Sequence, residues 1–193
     1  MKIIAITSPT VVVEEDVAVI SGLLDGGVDV VHLRKPDSDI DDCRDLLRRL
    51  DSVYLSRIVV HDYVELYSEF SLRGVHSNRN VPILPSGYVG QRSRSCHSLD
   101  EVVRYKDECD YLFLSPIFDS ISKQGYSSAF GSDMLRQAAD DGIIDEKVIA
   151  LGGVTFDKLP YLRDLNFGGA AMLGALYSHE GVKRLNNQFN KYK

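Results

Sequence analysis

The chain is poor in cysteine, and the three it has, Cys43, Cys96 and Cys109, have no metal-ligand spacing and cannot all pair. They read as reduced thiols in a cytosol-like compartment. No apolar run approaches the ~20 residues of a membrane span. The apolar opening, Met-Lys-Ile-Ile-Ala-Ile-Thr-Ser, is too short for a signal peptide and suits a first strand. A soluble, cytoplasmic protein with no membrane partner is therefore expected. Positive charge is not in excess either. A formal net charge of -6 argues against a nucleic-acid partner. It leaves room for a small anionic ligand, because the charge of a site need not follow the total. No Gly-x-Gly-x-x-Gly follows the first apolar run, so the dinucleotide fingerprint is missing.

What the chain does have is alternation. Its 193 residues suit one domain, 1–193, able to bury a core, with no linker or low-complexity segment. Runs rich in Val and Ile alternate with charged amphipathic stretches. Strands are expected at Lys2–Ser8, Val28–Arg34, Arg57–Asp62, Arg73–Ser77, Tyr88–Ser93, Tyr111–Ser115, Val148–Leu151 and Gly169–Leu176. Helices are expected at Glu14–Asp25, Asp39–Leu50, Tyr63–Phe70, Leu99–Lys106 (capped by Ser98, with Glu101 three residues on), Ser132–Asp140 (capped by Ser132), Phe156–Leu165 and Val182–Phe189. Pro82, Pro85, Ser86 and Gly87 occupy the place of a fourth helix, which should be stunted between Ser77 and Tyr88. Eight βα units point to an α/β fold, a compact (β/α)8 TIM barrel; a doubly wound sheet is the runner-up.

In a barrel, residues just after each strand meet at one mouth. The run Tyr111 to Lys123 shows the pattern: four bulky apolar residues, a proline that ends the pairing, then Asp119, Ser120, Ser122 and Lys123. The equivalent positions elsewhere are His32, Arg34 and Lys35; His61 and Asp62; His76; Ser95 and His97; Gly152 and Gly153; and Gly174. Cations, hydroxyls and glycines that admit backbone N–H groups suit a phosphorylated substrate. Plainer readings stand beside these. Arg34 and Lys35 suit surface pairs with Asp37 or Asp39, His76 and His97 suit structural hydrogen bonds, and Gly152-Gly153 suits a tight turn. Cys96 is rejected as a nucleophile, because neighbours on a strand face opposite ways.

Several segments, taken in order, resemble the thiamine-phosphate synthases and the related thiazole tautomerases, small (β/α)8 barrels of thiamine biosynthesis. They are Val31-His32-Leu33-Arg34-Lys35, Val59-Val60-His61-Asp62, Gly74-Val75-His76, Ser95-Cys96-His97-Ser98, Ser115 to Lys123 and Ala150-Leu151-Gly152-Gly153-Val154. The resemblance implies a transferase that joins a pyrimidinylmethyl diphosphate to a thiazole phosphate and releases diphosphate. It implies that Arg34, Ser95 and Lys123 bind diphosphate and that Asp62 ligates Mg2+. Ser120, Ser122, Gly153, Leu173 and Gly174 would hold the thiazole phosphate, the last ones through backbone N–H, with His32, Lys35, His61 and Gly152 also lining the substrate. A homodimer is compatible with this reading.

The chain departs from the family pattern at chemically telling places. His32 replaces a glutamine, His61 an asparagine, and Lys35 stands one residue early with Pro36 in the lysine's place. The second magnesium carboxylate falls at Val81, and no acid occurs between Ser77 and Ser93. The alternatives are a thiazole tautomerase, with a histidine moving a proton, and a non-catalytic binder of a thiamine precursor. The tautomerase branch is expected to place a histidine after strand six, where this chain has Ser115 and Pro116.

Overall fold

A computed structural model describes residues 1–77, 84, 87–118 and 130–192, with side chains as far as 185. Eight parallel strands close into a barrel in chain order, as the eight repeats predict. They are β1 (Lys2–Ile6), β2 (Val30–Leu33), β3 (Ile58–Val60), β4 (Gly74–Ser77), β5 (Gln91–Cys96), β6 (Tyr111–Leu114), β7 (Val148–Ala150) and β8 (Gly169–Met172). Between and after them run α1 (Val13–Asp25), α2 (Ile40–Arg49), α3 (Ser52–Leu55), α4 (Glu65–Phe70), α5 (Leu99–Tyr105), α6 (Ser132–Asp140), α7 (Leu159–Asp164) and α8 (His179–Tyr192). The chain forms two compact units, one of Met1–Ile3 with Arg92–Met172 and one of Ile4–Gln91 with Leu173–Lys193.

In the 4–91 unit every residue of β2 and β3 is buried, as expected of strands covered on both faces. The register sets Ile6 beside His32, His32 beside Val59, and Leu33 beside Val60. Backbone bonds from Thr7 N–H to His32 O (3.1 Å) and from His61 N–H to Leu33 O (3.1 Å) extend this ladder past the strand ends. The residues that carry polar chemistry are thus held by sheet geometry. Leu23 and Ile20 of α1, and Leu46 and Leu47 of α2, are buried, each worth roughly 1.5–3 kcal/mol. Helix α2 starts on a full capping box, Asp39 accepting from the Asp41 and Asp42 N–H groups while Asp42 accepts from Asp39. Gly74 is needed where β4 meets its neighbour, because a Cβ there would lie 2.2 Å from the Gln91 carbonyl oxygen.

In the 92–172 unit the all-apolar β6 is wholly buried, and pairs Ser95 with Phe113 and Leu114 with Ala150. Ser98 caps α5 by accepting from the Glu101 N–H, as its spacing predicts.

Several boundaries differ from expectation. Strand β5 begins at Gln91 rather than Tyr88, because Tyr88 turns its hydroxyl onto the Gln91 carbonyl (2.6 Å) and packs on Tyr67. Gly131, not Ser132, is the N-cap of α6. A 3-10 turn, Phe156–Lys158, precedes α7, and β8 ends at Met172. Helix α3, capped by Asp51, was not foreseen, and α8 starts three residues early at His179. The expected stunted helix falls mostly on residues 78–83 and 85–86, outside the described residues.

Candidate active site

At the end of β1, Thr7 is fully buried and bonds both ways to the start of the next loop. Its Oγ1 accepts from the Arg34 N–H (2.9 Å) and donates to the Arg34 carbonyl (3.0 Å). The backbone of Arg34 is thereby fixed while its side chain stands in solvent, an arrangement suited to meeting an anion.

Lys35 takes the opposite course. It is turned inward, with side-chain exposure of 1%, onto Asp16 of α1, exposed 2%. Nζ lies 2.8 Å from both Asp16 oxygens, 2.9 Å from the Thr10 carbonyl and 3.3 Å from the Ser8 hydroxyl. The Tyr177 hydroxyl and the Val12 N–H also donate to Asp16. Burial lowers the Lys35 pKa, against the opposing pull of Asp16, and burial together with Asp16 raises that of Tyr177. An ammonium with its three hydrogens so occupied has none left for a substrate. The expected surface pairing with Asp37 or Asp39, and the substrate contact, both give way to a buried ion pair that joins α1 to the loops after β1, β2 and β8.

His32 on β2, His61 just past β3 and His76 on β4 form a buried trio. His32 Nδ1 lies 2.8 Å from His61 Nε2, and the His61 and His76 rings stack at 4.1 Å. Burial, then the neighbouring imidazole of His76, lowers the pKa of His32 well below its ordinary value. His61 is lowered likewise by burial, then by His76, His32 and the Arg34 guanidinium. Both rings are therefore neutral near pH 7, able to hydrogen-bond or to bind a metal. Asp62 follows, half-buried. As a carboxylate it suits Mg2+, which keeps several waters and binds substrate phosphates. The second carboxylate position, Val81, lies outside the described residues.

Leu173 and Gly174 are exposed in a turn after β8, where the Leu173 carbonyl accepts from Leu176 (3.0 Å) and Tyr177 (2.7 Å). In the 92–172 unit, Ser95 is half-buried on β5 and His97 is exposed. His97 Nδ1 lies 3.1 Å from the Ser115 carbonyl, a structural bond of the kind anticipated. Gly152 and Gly153 adopt φ of 91° and 63°, and a Cβ on Gly152 would lie 2.8 Å from Pro116 Cα. The Phe118 N–H bonds the Gly152 carbonyl (3.1 Å), tying the loops after β6 and β7 together. Asp119, Ser120, Ser122 and Lys123 lie outside the described residues. Cys96 is buried and its thiol is pushed up to about 12 by burial, in keeping with its rejection as a nucleophile. A cavity of about 560 Å³ lined by Met1, Ile144, Glu146, Arg163 and Phe167 lies before β7 and β8, the end of a barrel strand that serves stability.

Asp16, Thr7 and Tyr177 were missed in the sequence. Thr7 follows a strand, so the rule that found Arg34 could have found it. Asp16 sits among acidic helix residues and carries no signal of its own.

Parallel strands closed into a barrel, with a cation, a carboxylate and imidazoles at strand C-termini, define a (β/α)8 enzyme. A family model described as thiamine monophosphate synthase matches residues 3–176. A thiamine-phosphate synthase from Phocaeicola vulgatus is 25% identical over 165 residues, 79% of either chain. The crystal structure of a thiamine phosphate pyrophosphorylase from Bacteroides thetaiotaomicron is 38% identical, with a TM-score of 0.88 over 99% of this chain and 96% of the other. Another, from Pyrococcus furiosus, is 19% identical with a TM-score of 0.75 over 98% and 94%, and shares the fold. The chain belongs to the thiamine monophosphate synthase family. That membership makes it a transferase of thiamine biosynthesis. Among the described residues, no helix is long and apolar enough to cross a membrane.

Proposed function

We propose that this protein condenses a pyrimidinylmethyl diphosphate with a thiazole phosphate, giving thiamine phosphate and diphosphate. The observation that carries the reading is 38% identity along 99% of the chain to a thiamine phosphate pyrophosphorylase. The clamped, exposed Arg34 adds chemical support.

The reaction breaks the C–O bond to diphosphate, whose oxygen keeps the electron pair, and forms a C–N bond from the thiazole nitrogen lone pair. No proton need move for that exchange, so the protein's work is electrostatic and positional. Arg34, Ser95 and Lys123 offset the charge gathering on the leaving oxygen. Gly152, Gly153, Leu173 and Gly174, with Ser120 and Ser122, hold the thiazole phosphate, and His32 and His61 line the substrate. Asp62 would hold Mg2+, which supplies further positive charge for the diphosphate.

Incubating the protein with both phosphorylated substrates and Mg2+ should yield thiamine phosphate and diphosphate in equal amounts. Turnover should stop in chelator and resume with added Mg2+. Absence of product at high enzyme concentration overturns the reading.

A further inference from the structure

We propose that His32, His61 and His76 form a binding site for a transition-metal dication, Zn2+ fitting best, separate from any Mg2+ on Asp62. Three buried histidines on neighbouring strands each present a ligand nitrogen, and these nitrogens all lie within 4.8 Å of one another. Core packing alone does not call for such a cluster, since each ring carries two polar nitrogens where apolar side chains would pack without them.

The distances suit an ion after small ring movements. Zinc sits about 2.0–2.1 Å from imidazole nitrogen, which sets tetrahedral ligand nitrogens about 3.3 Å apart. The His32–His61 pair, at 2.8 Å, must open by roughly half an ångström, and the widest separation must close by at most about 1.5 Å. Rotation about the broad terminal torsion of histidine supplies shifts of that size. In the metal-free state one nitrogen of the pair donates to the other. Metal binding moves that proton to the far nitrogen of its ring, and both imidazoles stay neutral.

The donor set selects the ion. Neutral imidazoles favour Zn2+ and its neighbours, whereas Mg2+ demands oxygen. Arg34 is near enough to act on His61, so its charge opposes any cation here, and the bonds from imidazole nitrogen must outweigh that repulsion. Three protein ligands leave a fourth position for water or a substrate oxygen, the pattern of reactive rather than structural zinc sites.

Co2+ titrated into chelator-stripped protein should bind one equivalent per chain, with the strong visible absorption of a four- or five-coordinate ion. Zn2+ should displace it and excess Mg2+ should not. His32→Gln and His61→Asn should each weaken binding more than about 100-fold, beyond the 10–100-fold typical of losing an outer partner. Asp62→Asn and the surface change His179→Asn should leave it intact. Because the buried variants can fail to fold, X-ray absorption on the zinc-loaded wild-type protein gives an independent reading, a nitrogen shell at about 2.0–2.1 Å with imidazole scattering. Weak six-coordinate absorption, no imidazole scattering, or loss of binding in Asp62→Asn overturns the proposal and leaves the trio a hydrogen-bonded cluster.

Discussion

Replacing Lys35 by Met tests the largest disagreement between sequence and structure. Methionine matches the stem of lysine, so packing against the Tyr177 ring, 5.6 Å from Nζ, is largely kept. What disappears is the charge that balances Asp16, whose carboxylate is 2% exposed. Removing one partner of a buried pair costs about 3–5 kcal/mol, because the other charge is left without its counterion. Asp16 keeps its donors from Tyr177 and Val12, so the lower end, about 3 kcal/mol, is expected. For a chain of this size that is a fall in Tm of roughly 6–12 °C. Urea unfolding should show a lower midpoint with an unchanged slope. Replacing both residues, Lys35→Met with Asp16→Leu, should cost less than Lys35→Met alone, since no unpaired charge remains. If Lys35→Met unfolds like the parent but loses affinity for phosphorylated substrate, the ammonium is a substrate contact and the reasoning fails.

Two further outcomes follow from the same geometry, and a third from the proposed role of Lys123. His32 and His61 have pKa values well below the ordinary range, so below about pH 6.5 the unfolded chain binds more protons than the folded one. Stability of the metal-free protein should be fully present above that pH and fall on acidification, by at most about 3 kcal/mol per pH unit if both rings stay neutral in the folded chain; a urea midpoint no steeper with pH than in His32→Gln refutes this. Thr7→Val should strand the Arg34 N–H and carbonyl, costing about 1–3 kcal/mol and lowering kcat/KM, and equal kinetics in the two proteins would deny Thr7 a positioning role. Lys123→Ala should lower kcat by roughly 10²–10³ with a smaller change in KM, and unchanged turnover would show the side chain to be merely solvated.

The fold was legible because a parallel barrel repeats one simple signal. Strands β2, β3, β6, β7 and β8 are buried on both faces, so Tyr111-Leu112-Phe113-Leu114 and Val30-Val31-His32-Leu33 stand out as apolar runs whatever their partners. The signal failed where it is absent. The sequence of β5, Gln-Arg-Ser-Arg-Ser-Cys, has no apolar period, and aromatic Tyr88 and Val89 just before it drew the expected strand three residues too early. Helix α3 is four residues long, below what any periodicity resolves.

The site was legible residue by residue but not in its direction of pointing. A rule that collects the ends of strands finds Arg34 and Lys35 together, since both follow β2. Which of the two faces solvent depends on Asp16, separated by 19 positions in sequence and carried in on α1. One long-range carboxylate therefore decides that the first cation is available to an anion and the second is not. The same holds for the histidines. Singly, His32 and His61 read as replacements for a glutamine and an asparagine, and His76 as a structural residue. Only the register that sets Ile6 beside His32 and His32 beside Val59, with β4 next in order, makes them neighbours. Two changes that look like losses from a substrate site become, once the strands are aligned, two of three nitrogens gathered at one place. A substitution of one polar group for another at a strand end is thus best judged against the strand-end groups on either side of it, because parallel pairing converts separate positions into one coordination shell.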